Sequence, residues 1–206
     1  MKIVINTLGL LLVTVSLACA QDFKRETDKY RKKYKEEFLH TANSPLKEAD
    51  LPFLQFYDPD STYRVVAKFE KSRGQSFEMP TYSGVNKTYV KYGKIKFRLH
   101  GRKQTLTVYR SLSLQQLAKY KDYLFIPFKD KTNGDESYGG GRYIDLRTTD
   151  IKNNTLILDF NKAYNPYCAY TDGYNCPIPP APNHLPIAIM AGEKKFAKEH
   201  QQARLK

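Results

Sequence analysis

Histidine and cysteine are scarce in this 206-residue chain, with four of the first and three of the second. The histidines stand at 40, 100, 184 and 200, and the cysteines at 19, 168 and 176. A protein-held zinc ion takes four ligands, usually in closely spaced pairs. His184, eight residues after Cys176, has no such pair beside it, so no metal site and no cofactor is expected. There is no Gly-Lys-Ser/Thr loop and no Gly-x-Gly-x-x-Gly turn, which excludes the usual nucleotide-phosphate cradles. No internal repeat or low-complexity tract is present. Acidic residues are also short: 21 Asp and Glu face 34 Lys and Arg, for a net charge of +13. Such an excess suits nucleic acid, anionic lipid or acidic polymer. Here the lysines are spread along the whole chain and no nucleic-acid motif accompanies them, so nucleic acid is not an expected partner. Peripheral contact with an anionic membrane or cell-wall polymer stays open.

Beyond residue 20 no apolar run is long enough to span a bilayer. Residues 1–20 read as an export signal. Lys2 is followed by a mostly apolar Ile3–Val15, and Ala18-Cys19-Ala20 puts small residues at −3 and −1. Cleavage after Ala20 is the first reading. The second is lipidation of Cys19, with Ser16 where a lipoprotein signal usually carries Leu. Both imply an exported protein, periplasmic or secreted. The rest divides into a helix and wrapping segment over 21–60 and a β-rich part over 61–206, together one globular unit.

Phe23, Thr27, Tyr30, Tyr34 and Phe38 recur at helical spacing and predict a helix over 22–40. Its aromatic stripe either docks on the domain or lies on a membrane surface. Pro45, Pro52 and Pro59 then mark a wrapping segment. From Thr62 the period changes to two. Strands are predicted from Thr62 to Glu70, Lys94 to His100, Thr105 to Tyr109, Tyr123 to Phe128, Arg142 to Leu146, Thr155 to Asn161 and Leu185 to Met190. A capping box at Ser113–Gln116 predicts a short helix over 114–120, and 193–203 reads as helical. The expected fold is mainly β: an antiparallel barrel or sandwich with an N-terminal helix and short peripheral helices.

Three stretches could carry chemistry. In "DKTNGDESYGGGRYID" three glycines leave backbone amides uncovered beside Arg142, Tyr143 and Asp145. Arginine next to open amides can hold a carboxylate or phosphate. The plainer reading is a bulged hairpin with Arg142 paired to Glu136 or Asp145. In the strand 155–161, Asp159 and Asn161 share a face. They line a cavity or cap the following turn. In "DFNKAYNPYCAYTDGYNCP", Cys168 and Cys176 could close a disulfide, remain thiols or bind metal; export favours the disulfide. Tyr164, Tyr167, Tyr170 and Tyr174 suit either a ligand wall or a self-packed loop. Glu193 follows Gly192 and could join Asp159 and Asn161.

Taken in order, "NSPL", "DKTNGDESY", "GGGRYIDL", "LDFNKAYNPYCAY", "NCPIPP" and "AGEKKF" resemble the family catalogued as domain of unknown function 1684. The resemblance covers most of the chain after residue 40 and carries no agreed activity. It implies importance for Gly140, Gly141, Arg142, Tyr143, Asp159, Asn161, Tyr164, Asn165, Cys168, Cys176, Pro177, Asn183, Gly192 and Glu193. Pro182 stands where the family often has an acidic residue, which argues against a catalytic carboxylate there. Family members without export signals resemble this cysteine pair too, which moves some weight from disulfide to thiol. The combined expectation is a pocket for a small polar or anionic molecule. Arg142 would hold the ligand, with Gly140, Gly141, Tyr143, Asn161, Tyr164, Asn165 and Asn183 around it. The alternatives are a hydrolase using Asp159 and Glu193 as acid and base, and a structural envelope protein stapled at Cys168–Cys176.

Overall fold

Alternating apolar and polar residues from Arg64 onward set the architecture. The structure is a computed structural model; it describes residues 4–72 and 74–198, with side chains from residue 20 on. One helix, α1 (Val4–His40), precedes seven strands: β1 (Arg64–Lys71), β2 (Ser76–Met79), β3 (Lys87–Leu99), β4 (Arg102–Ser111), β5 (Tyr123–Phe128), β6 (Arg142–Arg147) and β7 (Thr155–Asp159). All pairings between strands are antiparallel, in the order β6-β5-β4-β3-β1-β7, with β2 added to the first half of β3. The fold is thus mainly β, a sheet curled into a half-barrel. After β7 the chain turns through Phe160–Lys162, and Tyr164 exchanges both backbone hydrogen bonds with Tyr143 of β6 (2.9 and 3.0 Å). That contact ties the two ends of the sheet together.

The concave face holds the main core. Ala67 and Phe69, Ile95, Phe97 and Leu99, Leu106 and Val108, Leu124, Ile126 and Phe128, Ile144 and Leu146, and Leu156 and Leu158 all point into it. Removing this apolar area from water is the main term favouring the fold. The opposite face of the same strands is aromatic rather than aliphatic: Tyr89, Tyr109, Phe125 and Tyr143 cluster there with Met79. In β3 a register shift between Lys91 and Gly93 lets one strand serve both faces. An extra residue reverses which side chains point inward, so Tyr89 joins the aromatic face and Ile95 the core.

Helix α1 docks by its stripe. Thr27 and Phe38 are buried, and Phe38 packs with Leu46, Leu54, Ala169, Tyr170 and Phe196. Arg64 of β1 holds Glu26 of α1 through two hydrogen bonds (2.8 and 2.9 Å) and lies over the Phe23 ring. The stripe therefore faces the domain. Among the described residues no helix is long and apolar enough to cross a membrane.

Four local expectations need correction. Residues 114–120 form two short 3-10 turns, Leu114–Gln116 and Ala118–Tyr120. Ser113 is itself in the helical region and its side chain caps nothing; the Leu114 amide goes to Ser111. The strand expected at 185–190 makes no ladder, since Pro186 has no amide to donate and the Ile189 amide goes to the Asp130 carboxylate (3.2 Å). The helix expected from Glu193 is absent through Lys198. The amides of Glu193, Lys194, Lys195 and Ala197 donate instead to carbonyls of Ala163, Gln55, Glu136 and Phe53. Residues 199–203 of that expected helix lie outside the described residues. The fourth correction is an omission, because β2 carries too few apolar residues to signal a strand.

Candidate functional site

Arg142, expected to hold a ligand, is fully buried at the end of the core. It alternates with Ile144 and Leu146, so it shares their inward face. Its two terminal nitrogens donate to Asp130 (2.8 Å) and to the carbonyls of Ile189 (2.8 Å), Ala191 (2.6 Å) and Glu193 (3.1 Å). Asp130 in turn accepts from Thr132 and from the Ile189 amide. The guanidinium thus fastens the C-terminal segment across the barrel end, and no anion can reach it. Its carboxylate partner is Asp130, not Glu136 or Asp145. The glycines before it are closed as well. Gly141 has φ +93°, and a Cβ there would collide with the Phe128 carbonyl and Pro179. Only glycine fits that position. The Gly140 carbonyl accepts from the Tyr82 hydroxyl (2.8 Å).

The other motif residues are held by the fold as well, although the Asn165 Oδ1 has no partner among the described residues. The Asn183 side chain binds the Thr107 amide (2.7 Å) and the carbonyls of Thr107 (2.9 Å) and Pro127 (2.7 Å). It bridges β4 and β5 where Pro127 has no amide for a ladder. Asp159 accepts from Arg64 (2.8 Å) and from the Asn161 amide and side chain (both 3.0 Å). Asn161 also clasps the backbone of Asp60 (3.0 and 2.8 Å). Of the two readings for this pair, the turn cap is the one formed, although both residues are buried. Glu193 is buried and accepts four hydrogen bonds: the Asn165 amide (3.0 Å) and side chain (2.9 Å), Tyr170 (2.7 Å) and Tyr34 of α1 (3.0 Å). Burial outweighs those donors and pushes its pKa up to about 7. Asp159 and Glu193 share no hydrogen-bond partner, so a joint acid/base pair finds no support in this arrangement. Cys168 and Cys176 are joined as a disulfide.

The accessible chemistry lies elsewhere, between α1 and the aromatic face of the sheet. A cavity of about 980 Å³ opens there. Tyr30, Tyr34 and Phe38 come from α1, Tyr89 from β3, Tyr123 and Phe125 from β5, and Tyr143, Asp145 and Arg147 from β6. Tyr164, Tyr167, Tyr174 and Cys176 come from the disulfide loop and its approach. Two of the predicted ligand residues, Tyr143 and Tyr164, therefore line it; Gly140, Gly141, Arg142, Asn161, Asn165 and Asn183 do not. Three of the four tyrosines in the cysteine segment face it, while Tyr170 is turned to Glu193.

Asp145 is an acidic lining residue of this cavity. Its side chain is exposed to the cavity. One carboxylate oxygen accepts from Tyr123 and Tyr164 (both 2.7 Å). Burial raises its pKa, partly opposed by those two hydroxyls and by the positive charge of Arg147. Arg147 itself is bound to Asp122 (2.6 Å) and to the Lys119 carbonyl (2.9 Å). Lys87 also lines the cavity, half-buried, with its pKa lowered by desolvation. Among the described residues its side chain has no hydrogen-bond, ion-pair or aromatic-ring partner. The sequence signal for Asp145 is its place in "RYIDLR": Ile144 and Leu146 face the core, so Tyr143 and Asp145 must face the other way. Among the described residues no group of three His, Cys, Asp or Glu is placed to hold a metal ion.

Comparison with known proteins agrees with the motifs. A model of a protein family of unknown function, DUF1684, matches residues 49–194. The sequence is 32% identical to an uncharacterized protein of Haloarcula marismortui whose structure was solved in solution by NMR. The match covers 86% of this chain and 96% of that one, with a TM-score of 0.65. No curated protein matches the sequence. The chain belongs to the DUF1684 family.

Proposed function

For this member of the DUF1684 family, we propose the binding of a small organic molecule in the tyrosine cavity between α1 and the sheet. The observation that carries this reading is the cavity itself, about 980 Å³, walled by tyrosines and floored by an accessible carboxylate. Ligand sites are typically clefts of about 300–1,000 Å³ with apolar or aromatic walls and a few convergent polar groups. Tyrosine provides both apolar area and a hydroxyl. The side chains of Asp145 and Lys87 keep hydrogen-bonding capacity that the described residues do not use, as an orienting group must. The Gly-rich hairpin, Arg142 and the Asn and Glu of the family motif hold this wall in place from behind. The N-terminal signal pattern and the disulfide support placing this binder outside the cytoplasm, periplasmic or secreted.

The test is an NMR screen of the chain from Gln21 onward against a library of small polar and aromatic compounds. Binders should shift the resonances of Tyr123, Asp145 and Tyr164 together and leave those of Gly140 to Arg142 nearly still. A library without a binder, or binders that act at the Gly-rich hairpin instead, would remove the proposal.

A further inference from the structure

We infer that the ligand of the tyrosine cavity carries an organic ammonium group and that Asp145 is its counter-ion. This deepens the reading above and rests on it. Among the described residues no Lys, Arg or His forms an ion pair with Asp145; the charge of Arg147 reaches it only from a distance. Both hydroxyl donors meet the same oxygen, Oδ1. The second oxygen has no protein donor among the described residues. Arg147, two residues along the strand, is committed to Asp122 and the Lys119 carbonyl.

The surroundings of the carboxylate suit a positive guest. Tyr89 and Phe125 have ring centroids 5.9 Å apart, Phe125 and Tyr143 4.7 Å, and Tyr143 and Tyr164 5.8 Å. Tyr123 lies against Phe125 at 6.5 Å. The five rings thus form one connected series lining the same cavity as Asp145, and two of them, Tyr123 and Tyr164, touch it. Aromatic faces carry negative potential, and their attraction for a cation grows once the cation leaves bulk water. An anionic ligand would meet Asp145 at the floor and gain nothing from the rings. A neutral polyol could use Asp145 but not the ring potential. The net charge of +13 repels cations at long range. At about 0.1 M salt that field is screened beyond roughly 10 Å, whereas the carboxylate acts at contact. Lys87 biases orientation: it favours a ligand whose ammonium lies toward Asp145 and whose acceptor end lies toward the lysine.

Choline and its neutral isostere 3,3-dimethylbutan-1-ol differ by this one charge and serve as the probes. Both would be titrated by NMR into the chain from Gln21 onward. The expected result is choline binding at the Tyr123, Asp145 and Tyr164 resonances at least tenfold tighter than the isostere. Asp145→Asn should cost choline tenfold or more and leave the isostere unchanged. Lys87→Met, which leaves the carboxylate intact, should strengthen choline binding a few-fold. Equal binding of the two probes would overturn the ammonium assignment and leave the cavity reading standing. So would choline staying silent while other library members bind there, or Lys87→Met weakening choline. If no compound of any class moves those resonances, the cavity reading falls and this inference falls with it.

Discussion

The two faces of β6 put the same kinds of residue to opposite uses. Arg142 on the inner face is buried, and Asp145 on the outer face opens into a cavity. Around Arg142 both terminal nitrogens are bound by protein, and Asp130 is filled in turn. Around Asp145 one oxygen is held by two tyrosines and the other has no donor among the described residues. A buried polar group bound mainly within the fold, as Arg142 is through its terminal nitrogens while its Nε has no partner among the described residues, stabilises and positions. One whose capacity is left over, within reach of solvent, can recognise something else.

Removing Arg142 should have the largest effect. Arg142→Ala would leave Asp130 buried and unpaired along with three carbonyls. Breaking a buried pair costs about 3–5 kcal/mol, enough to unfold a marginal domain. Chemical denaturation should show that loss or no folded protein at all. A stable, folded Arg142→Ala variant that loses only ligand binding would reverse the contrast between the two faces.

Glu193 offers a graded version of the same argument. Its pKa rises from an ordinary 4.5 to about 7 in the fold. The folded state therefore holds this proton more tightly than the unfolded chain does. That contribution is fully present below the ordinary value and is lost as pH rises through about 7, amounting to about 3 kcal/mol across the window. The difference between the native protein and Glu193→Gln isolates it from the other carboxylates. The native protein should lose stability from pH 4.5 to 7.5 relative to the variant. Parallel curves would show that Glu193 titrates normally.

The disulfide comes next. Cys168 and Cys176 are eight residues apart in sequence, and such a closure stabilises by roughly 2–3 kcal/mol through the unfolded chain. Replacing both by Ser should lower the melting temperature by several degrees. An unchanged melting temperature would mean that the loop is held by its tyrosine contacts alone.

Much of the scaffold was legible because it rests on period. The stripe from Phe23 to Phe38 and the alternation in β1 and the second half of β3 announce their faces directly. The motif residues were legible as important but not as to purpose. Asn183 bridges β4 and β5 across 76 residues of sequence, and no local pattern shows that Pro127 leaves a gap there. Arg142 finds Asp130 through a hairpin whose path depends on Gly141. Period tells that Tyr143 and Asp145 oppose Ile144, but not that α1 stands off from that face and leaves a cavity. A residue's type thus pointed to chemistry at Arg142 where the tertiary structure uses it for packing.

Asp145→Asn should change stability least and recognition most. The asparagine carbonyl can still accept from Tyr123 and Tyr164, so both hydroxyls keep a partner. The change in folding free energy should stay within about 1 kcal/mol, the scale of one altered hydrogen bond. Binding of an ammonium ligand, by contrast, needs the charge. Its pH dependence follows from the groups around Asp145: Tyr89, Tyr123 and Tyr164, Arg147 beside it, and Glu37 on α1, whose negative charge also favours the protonated form. Burial raises the Asp145 pKa, so acid should weaken choline binding at a pH above the ordinary aspartate range. In Asp145→Asn the residual binding should lose that acid limb. Titrations of both proteins from pH 4 to 8 read the two effects apart. A variant that melts far below the native protein would mark Asp145 as a second Arg142, a structural group that merely touches a cavity. A variant that melts normally and binds choline as before would leave the cavity without its orienting charge.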